Sequence, residues 1–490
     1  MPAIPKFTEE NIQKLFGHEA AEDEDFARLR EYFFKSKVYE RIAADLPLRI
    51  LVGHKGIGKS ALFKIALAED REKRGLFPIL IRPDDLMGLG ITQPDFLQQI
   101  RDWKRGLTEV IARKALSSFG LSSDDVIAKI ANVGGKLVAF IGDAIRPLLE
   151  KAGATMNPVN RVIASNFAKN QIVTVYIDDL DRGWEGKRED IRRVSALLNA
   201  ARDMCGEHVG LRFRIALRSD VYYLVRTSDE STDKIEGSVV WYTWTNHEIL
   251  VLLVKRIETF FGRAPDEMQL MHMHQKSLAS YLDPIMEPRF LGRGHWDNAP
   301  VHRILMSLIR KRPRDLVKLC TLAAQRARED GVAKIGTAHL DGSFEEYSQG
   351  RIQDTINEYR TELPDVERLV MAMRPTKKDW AAGAAYVFTN DQLQKKLDRI
   401  LQQGRFTFAN NKIASAKQLA QFLYKINFLT ARKTRDDGEI VRKYFEENRY
   451  LSSEVVEFGF DWEIHPAYRW ALQPESLDQI FSDLQLSADD

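Results

Sequence analysis

The sequence predicts an α/β fold built on a parallel sheet, and three observations carry that expectation. Leu48-Arg49-Ile50-Leu51-Val52 reads as a short buried strand that runs straight into Gly53-His54-Lys55-Gly56-Ile57-Gly58-Lys59-Ser60, a fit to G-x-x-x-x-G-K-[ST]. A second apolar, β-branched run, Ile172-Val173-Thr174-Val175-Tyr176-Ile177, ends in Asp178-Asp179-Leu180-Asp181-Arg182, as a strand buried on both faces would. Between and after these runs, strand-like and helix-like stretches alternate, the pattern of parallel strands joined through helices.

Each element follows in order. Residues 1–45 read as a charged helical segment. The core of the α/β domain is expected over 46–246: the loop strand, the helix Ala61–Leu67 after it, a strand Phe77–Ile81, and a helical insertion at about 91–168. Within the insertion, Ser122-Ser123-Asp124-Asp125 is a candidate helix start and Gly134-Gly135 a break. Its stretch Leu137–Ile141 is followed by Asp143 and Arg146, so it reads as a core or interaction helix and not a membrane span. After the acidic strand come a helix over about Glu189–Met204, a strand Leu211–Leu217 ending in Arg218, and a strand within Ser238–Trp244. If Leu211–Leu217 joins the core, it lies between the two motif strands. Residues 247–346 read as a helical lid and 350–490 as a mixed C-terminal domain.

The loop's residue types fit phosphate chemistry. Glycines at 53, 56 and 58 let backbone N–H groups turn inward around a triphosphate, and the helix beginning there adds its positive end. Gly53, Lys55, Gly56, Ile57, Gly58 and Ala61 are thus expected along the nucleotide, with Lys59 on the β and γ phosphates and the Ser60 hydroxyl on Mg²⁺. A carboxylate at the tip of a buried strand is costly unless a cation or donors meet it, and beside such a loop that cation is Mg²⁺. Asp178 is the expected metal-side carboxylate, and Asp179 the residue that orients or deprotonates the attacking water. ATP and Mg²⁺ are the implied cofactors.

Composition bounds the alternatives. The chain has 490 residues, enough for two or three domains, and its 44% hydrophobic and 29% charged residues suit a globular protein. A net charge of +2 demands no nucleic-acid partner, so any such surface has to be local. Cys205 and Cys320 stand in apolar helical surroundings, which excludes a disulfide framework. His272 and His274 would diverge on a helix, so no metal site is expected there. With no apolar signal segment or membrane-length run, the expected location is cytoplasmic, without membrane contact. No nuclease-like acid cluster and no Ser/His/Asp arrangement is visible, which assigns any effector chemistry to a partner protein.

Taken together, the glycine loop, Asp178-Asp179-Leu180-Asp181-Arg182, Arg218 at a strand end and Arg312-Pro313-Arg314-Asp315 at a helix start resemble the additional-strand P-loop ATPases. The resemblance is to the branch shared by the STAND and KAP groups and the origin-recognition type of AAA+ protein, and it covers about residues 10–330. Phe16-Gly17 through Glu22 resembles a degenerate form of the base-side motif that precedes the loop in these families. The resemblance implies that Arg218 is a sensor touching the γ-phosphate and that Arg314 is a lid arginine closing on nucleotide. It also implies slow or activation-dependent hydrolysis, because the usual catalytic glutamate is the shorter Asp179. Many bacterial members are switches in anti-phage defence, which makes that setting an expectation for this chain. Arg182, directly after the acidic tip, is expected to point outward toward a neighbour, so homo-oligomerisation or a partner effector is expected to complete the activity.

The C-terminal part reads as winged-helix-like. A helix over Ala414–Tyr424 precedes two strand-like runs that flank Asp436-Asp437-Gly438, a hairpin signal. Lys412, Lys417, Lys425, Arg432, Lys433, Arg435, Arg442 and Lys443 give it a basic edge interrupted by Glu439, Glu446 and Glu447. Such a domain binds DNA or packs against protein, and the interrupting acids favour protein. Two other functions stay open: a DNA-binding, origin-recognition-like initiator or loader, and a non-hydrolysing nucleotide-gated scaffold.

Overall fold

The computed structural model describes residues 6–19, 23–90, 95–118, 137–143, 167, 169–228, 230–381, 383, 385–436, 440–448, 460–472, 480–481 and 484–487. Most of the expected insertion, including its Ser122–Asp125 and Gly134-Gly135 signals, lies outside them, as do Glu22 and the Asp437-Gly438 turn. The chain forms two compact units: one comprises 35–55 and 59–242, the other 1–34, 56–58 and 243–490. Among the described residues no helix is long and apolar enough to cross a membrane.

The first unit is a five-stranded parallel sheet in an α/β P-loop NTPase fold. Its strands are β1 (Leu48–Val52), β2 (Phe77–Ile81), β3 (Val173–Ile177), β4 (Leu211–Leu217) and β5 (Val239–Trp241), in the order β2-β3-β4-β1-β5. The additional strand β4 sits between the loop strand and the acidic strand, with Ile50 opposite Ile215 on one side and Val175 opposite Phe213 on the other. Ile50, Val52, Ile81, Val175, Ile177, Phe213, Ile215 and Leu217 are buried in its core. That is why β2 and β3 read as near-continuous apolar stretches, whereas β4 carries Arg212 and the buried Arg214, whose guanidinium donates to Leu46 O and Ala44 O. Leu137, Val138 and Ile141 join the same core. The helices of this unit include α3 (Lys37–Ala43), α4 (Lys59–Glu72), α5 (Phe96–Ser118), α6 (Arg188–Glu207) and α7 (Ser219–Ser228); α1 (Glu9–Phe16) and α2 (Phe26–Tyr32) precede them in the chain and belong to the second unit.

One buried polar cluster fixes α4 against β3. The Tyr176 hydroxyl donates to Asp70 Oδ2 at 2.7 Å, Arg74 Nη1 meets Asp70 Oδ1 at 2.7 Å, and the Tyr176 ring lies edge-on to Phe63 with centroids 5.2 Å apart. Beside it Glu69 accepts from Lys35 at 2.7 Å, from Lys73 at 2.8 Å and from the Tyr39 hydroxyl. Burial pushes the Glu69 carboxyl up, but the two lysines and Tyr39 outweigh it and hold it at about 2. The cluster sets the spacing between the loop, at one end of α4, and the acidic tip, at the end of β3.

The second unit contains α1 (Glu9–Phe16), α2 (Phe26–Tyr32), α8 (Asn246–Phe260), α9 (Val301–Leu308), α10 (Pro313–Glu329) and α11 (Thr337–Tyr359), with α10 packed along α11. Pro313 at the first position suits the start of α10, and Leu316, Leu319, Cys320 and Ala323 make its buried stripe. Asp315 is fully buried there: Arg310 Nε and Nη2 donate to it at 2.7 and 2.9 Å, and Arg351 Nη1 at 2.8 Å. Burial would raise its pKa, yet these guanidinium groups hold it well below the usual carboxylate range.

The C-terminal part of this unit adds α12 (Asn390–Gln402), α13 (Ala416–Lys425) and an antiparallel sheet of β6 (Val387–Phe388), β7 (Leu429–Thr434), β8 (Ile440–Lys443) and β9 (Asp461–Ile464), in the order β8-β7-β9-β6. Helix followed by hairpin and a returning strand is a winged-helix-like arrangement. Its basic edge is smaller than the sequence suggests. Arg442 is buried and donates to Glu463 from Nε at 2.7 Å and Nη2 at 3.0 Å, and Lys425 is buried against Glu362. Arg432 is half-buried and bonds Gln485 at 2.7 Å, leaving Lys412, Lys417, Lys433 and Arg435 exposed. The cause is physical: a buried carboxylate needs cations, and Glu463 takes two, Arg442 and Arg469, which counter the effect of burial and hold it at about 2.

Candidate functional site

The phosphate loop is built by backbone conformation. β1 delivers the chain to Gly53, whose N–H donates to Leu217 O at 3.1 Å, and α4 begins at Lys59. Between them Gly56 has φ +78 and Gly58 φ +105, which only glycine adopts without strain. Lys59 Nζ donates to Gly53 O at 2.8 Å and His54 O at 3.0 Å, so its ammonium lies on the carbonyl side of the turn. His54 is buried, with Nδ1 3.0 Å from the hydroxyl of Ser219, the first residue of α7. Ser60 and Ala61 are half-buried in the first turn of α4, and Lys55 is exposed. The backbone O of Ile57 accepts from Trp244 Nε1 at 2.9 Å.

Gly56 is also held to glycine by a neighbour. Arg314 N donates to Gly56 O at 3.4 Å, its Nε donates to Glu19 O at 2.9 Å, and an added Cβ at Gly56 would come within 3.1 Å of Arg314 Cβ and Cδ. Gly56→Ala is therefore expected to destabilise the chain by about 1–2 kcal/mol from the left-handed backbone alone, plus a further penalty from displacing Arg314. Urea unfolding in wild-type and Arg314→Ala backgrounds separates the two: the part of the second contribution that comes from Arg314 Cδ and Nε is lost in the Arg314→Ala chain, while the contact with its Cβ and the backbone contribution stay.

At the end of β3, Asp178 is half-buried and Asp179 exposed. Asp179 has φ +60, and its N–H donates to Asp178 Oδ1 at 2.9 Å. Arg218 follows β4, so the strand order brings it between the loop and the acidic tip. It is 9% exposed; Nε and Nη2 donate to Asp220 at 3.0 and 2.7 Å, and Nη1 lies 3.5 Å from Asp181 Oδ2. Asp181, the third acid of the tip, thus serves an arginine. Arg182 is exposed, with no ion pair to a described residue, since Glu185 is taken by Lys187. It borders a cavity of about 510 Å³ lined also by Met87, Trp103, Leu180, Trp184 and Arg193.

Sequence reasoning missed Asp220, the role of Asp181 and the bond from Ser219 to His54. An acid two residues beyond a strand-end arginine was the available signal for the first of these. His272 and His274 stand on separate short helical stretches, Glu267–His272 and the N-cap of Gln275–Ala279, and no group of three or more His, Cys, Asp or Glu able to hold a metal occurs among the described residues. The loop, with its two left-handed glycines, suits a polyphosphate. Mg²⁺, which keeps much of its shell from water and phosphate, would need from the protein only Ser60 and Asp178.

Residues 248–356 match a protein family described as the FunZ-associated C-terminal helical domain. The chain is similar to the putative transposon gamma-delta 80.3 kDa protein of Escherichia coli K12, at 22% identity over 512 residues, covering 95% of this chain and 69% of that protein. Among solved structures it is similar to the ORC2 protein of Aeropyrum pernix in its ADPNP-ADP complexes, at 12% identity and a TM-score of 0.41, covering 93% of this chain and 92% of that one. It is also similar to Cdc6p of Pyrobaculum aerophilum, at 12% identity and a TM-score of 0.30 over 96% and 97% of the two chains. Drosophila ORC bound to DNA gives 12% identity and a TM-score of 0.32 over 97% and 93%. Likenesses this distant carry no further argument.

Proposed function

We propose that this chain binds ATP·Mg²⁺ and hydrolyses its β–γ bond to change conformation, as a switch or assembly ATPase. The observation that carries the reading is the sheet order, which gathers the glycine loop after β1, Arg218 after β4 and Asp178-Asp179 after β3 at adjacent strand ends. ATP would lie along Gly53, Lys55, Gly56, Ile57, Gly58, Lys59, Ser60 and Ala61, with Ser60 and Asp178 holding the metal and Lys59 and Arg218 offsetting phosphate charge. Asp179 would orient or deprotonate water, and Arg314, which already lies against Gly56, would close on nucleotide. The bound metal supplies charge to the phosphates; the residues bind, aim and exclude. The resemblance to the STAND and KAP groups supports a regulated switch in a defence setting, with the effector chemistry in a partner protein.

Assembly is part of the proposal. Arg182 is exposed and borders an open cavity, which supports a role on a neighbouring subunit, where an added arginine at a phosphoryl group would be worth about a thousandfold or more in rate. Turnover per subunit is expected to rise with protein concentration, and Arg182→Ala to abolish the rise. A flat profile in a demonstrated monomer, unchanged by the substitution, would count against assembly.

The second reading, a DNA-binding loader, is favoured by the exposed Lys412, Lys417, Lys433 and Arg435 and by the similarity to a protein named for a transposon. It is the weaker one, because α13 has buried most of its surface, including Leu419, Ala420, Phe422, Leu423, Tyr424 and Lys425, leaving Lys417, Gln418 and Gln421 to solvent in whole or part. Duplex binding is expected to stay near background in the wild-type chain and after charge reversal at Lys433 and Arg435. Tight binding that falls linearly in log salt and is lost on reversal would favour the loader instead.

A further inference from the structure

Two acids of unequal grip meet Arg218. Asp220 grips the Nε/Nη2 edge with both oxygens, at 3.0 and 2.7 Å, the strongest geometry available to an arginine and a carboxylate. Both partners are buried, at 9% and 2% exposure, where loss of one leaves the other uncompensated. Asp181 meets Nη1 at only 3.5 Å, beyond good hydrogen-bond length, from a more exposed position on a loop carrying left-handed backbone at Asp179 and Gly183. The backbone around Asp220 is anchored as well: Tyr222 N donates to Arg218 O at 2.9 Å, and Ser219 is tied to His54 of the phosphate loop. Asp220 also lies in the first turn of α7, where a carboxylate is favoured by the helix terminus.

We infer that Asp220 is a positioning residue that aims Arg218 at the terminal phosphate of a nucleoside triphosphate, and that Asp181 is the resting partner which that phosphate displaces. Two carboxylates and one guanidinium sum to a charge of about −1, which repels an incoming phosphate; when one acid leaves, the remaining pair is neutral and Nη1 can donate to the phosphate in its place. The looser contact is the one that exchanges. The third acid of the Asp178-Asp179-Leu180-Asp181 tip then has a function separate from metal and water: it holds the sensor while no γ-phosphate is present.

The inference rests on the nucleotide reading above, and the test separates the two. In the full-length chain, affinities for Mg²⁺ with the β,γ-imido analogue of ATP and for Mg²⁺ with ADP are measured by calorimetry, and their ratio gives the preference for a terminal phosphate. Asp220→Asn and Arg218→Ala are each expected to reduce that preference by about tenfold while ADP affinity stays within about twofold, a loss of one charge-assisted contact. The double variant should lose no more than either single one, because Asp220 acts through Arg218. Asp220→Glu should recover part of the preference, and Asp181→Asn should raise it by a few-fold, about the value of a loose ion pair. Multiplicative losses in the double variant, or weaker binding of the analogue by Asp181→Asn, overturn the inference. Should Asp220→Asn fail to fold, the half-buried Asp181→Asn decides. A wild-type chain that binds neither nucleotide, like a Lys59→Ala control, would sink the nucleotide reading; binding with a preference unmoved by Asp220→Asn sinks this inference alone.

Discussion

Lys59→Ala is expected to weaken ATP binding by about ten- to a hundredfold and to abolish turnover, with the fold intact. The magnitude is that of hydrogen bonds from a charged donor, about 1.5–3 kcal/mol, with the loop itself left in place. The fold should survive the change, although Gly53 and His54, whose carbonyls the Lys59 ammonium bonds, are buried and lose a donor at a cost of about 1–3 kcal/mol. The loop glycines and the buried face of α4, Leu62, Phe63, Ile65 and Ala66, are untouched. Fluorescent-nucleotide titration and far-UV circular dichroism check both halves of the expectation. Unchanged affinity in a folded variant would refute the assignment of the loop.

The two acids at the tip of β3 should separate by phenotype. Asp178→Ala is expected to impair Mg²⁺-dependent binding, whereas loss of the Asp179 carboxylate should retain ATP and reduce turnover by about a hundred- to ten-thousandfold, the range for a general base. The substitution at 179 has to respect the backbone. At φ +60 an alanine would add strain of its own, while asparagine accepts the left-handed region, so Asp179→Asn isolates the carboxylate and Asp179→Ala does not. Comparing the two by phosphate release and by urea midpoint distinguishes lost chemistry from lost stability. Normal hydrolysis in both Asp178→Ala and Asp179→Asn would show that this is not the catalytic strand.

The strands were legible because a parallel sheet buried on both faces leaves near-continuous apolar runs, as in Phe77–Ile81 and Val173–Ile177, and even Leu211–Leu217, interrupted by Arg212 and Arg214, closes on Ile215-Ala216-Leu217. The position of β4 between β1 and β3 followed once both runs were placed in one core. What the sequence hid depends on partners far along the chain. Lys425 and Arg442 read as surface cations because their acids, Glu362 and Glu463, stand 63 and 21 residues away. Tyr176 read as one more strand residue, and only the fold shows its hydroxyl on Asp70, 106 residues distant. Asp220 was close in sequence, yet proximity alone gives no bidentate geometry. Composition counts charges; it does not pair them.

The buried junction at the start of α10 bears on what can be cut from this chain. Arg310 Nη1 donates to the Tyr468 hydroxyl at 2.8 Å, and Lys311 Nζ meets Glu447 at 2.7 Å, so two residues inside the family-matched stretch 248–356 bond residues outside it. Excised at its sequence borders, that stretch would carry a fully buried arginine stripped of one acceptor and a core face opened to water where Tyr468 had packed. Residues 248–356 cut out alone are thus expected to be less stable than in the intact chain, and to regain stability when residues through Tyr468 are restored.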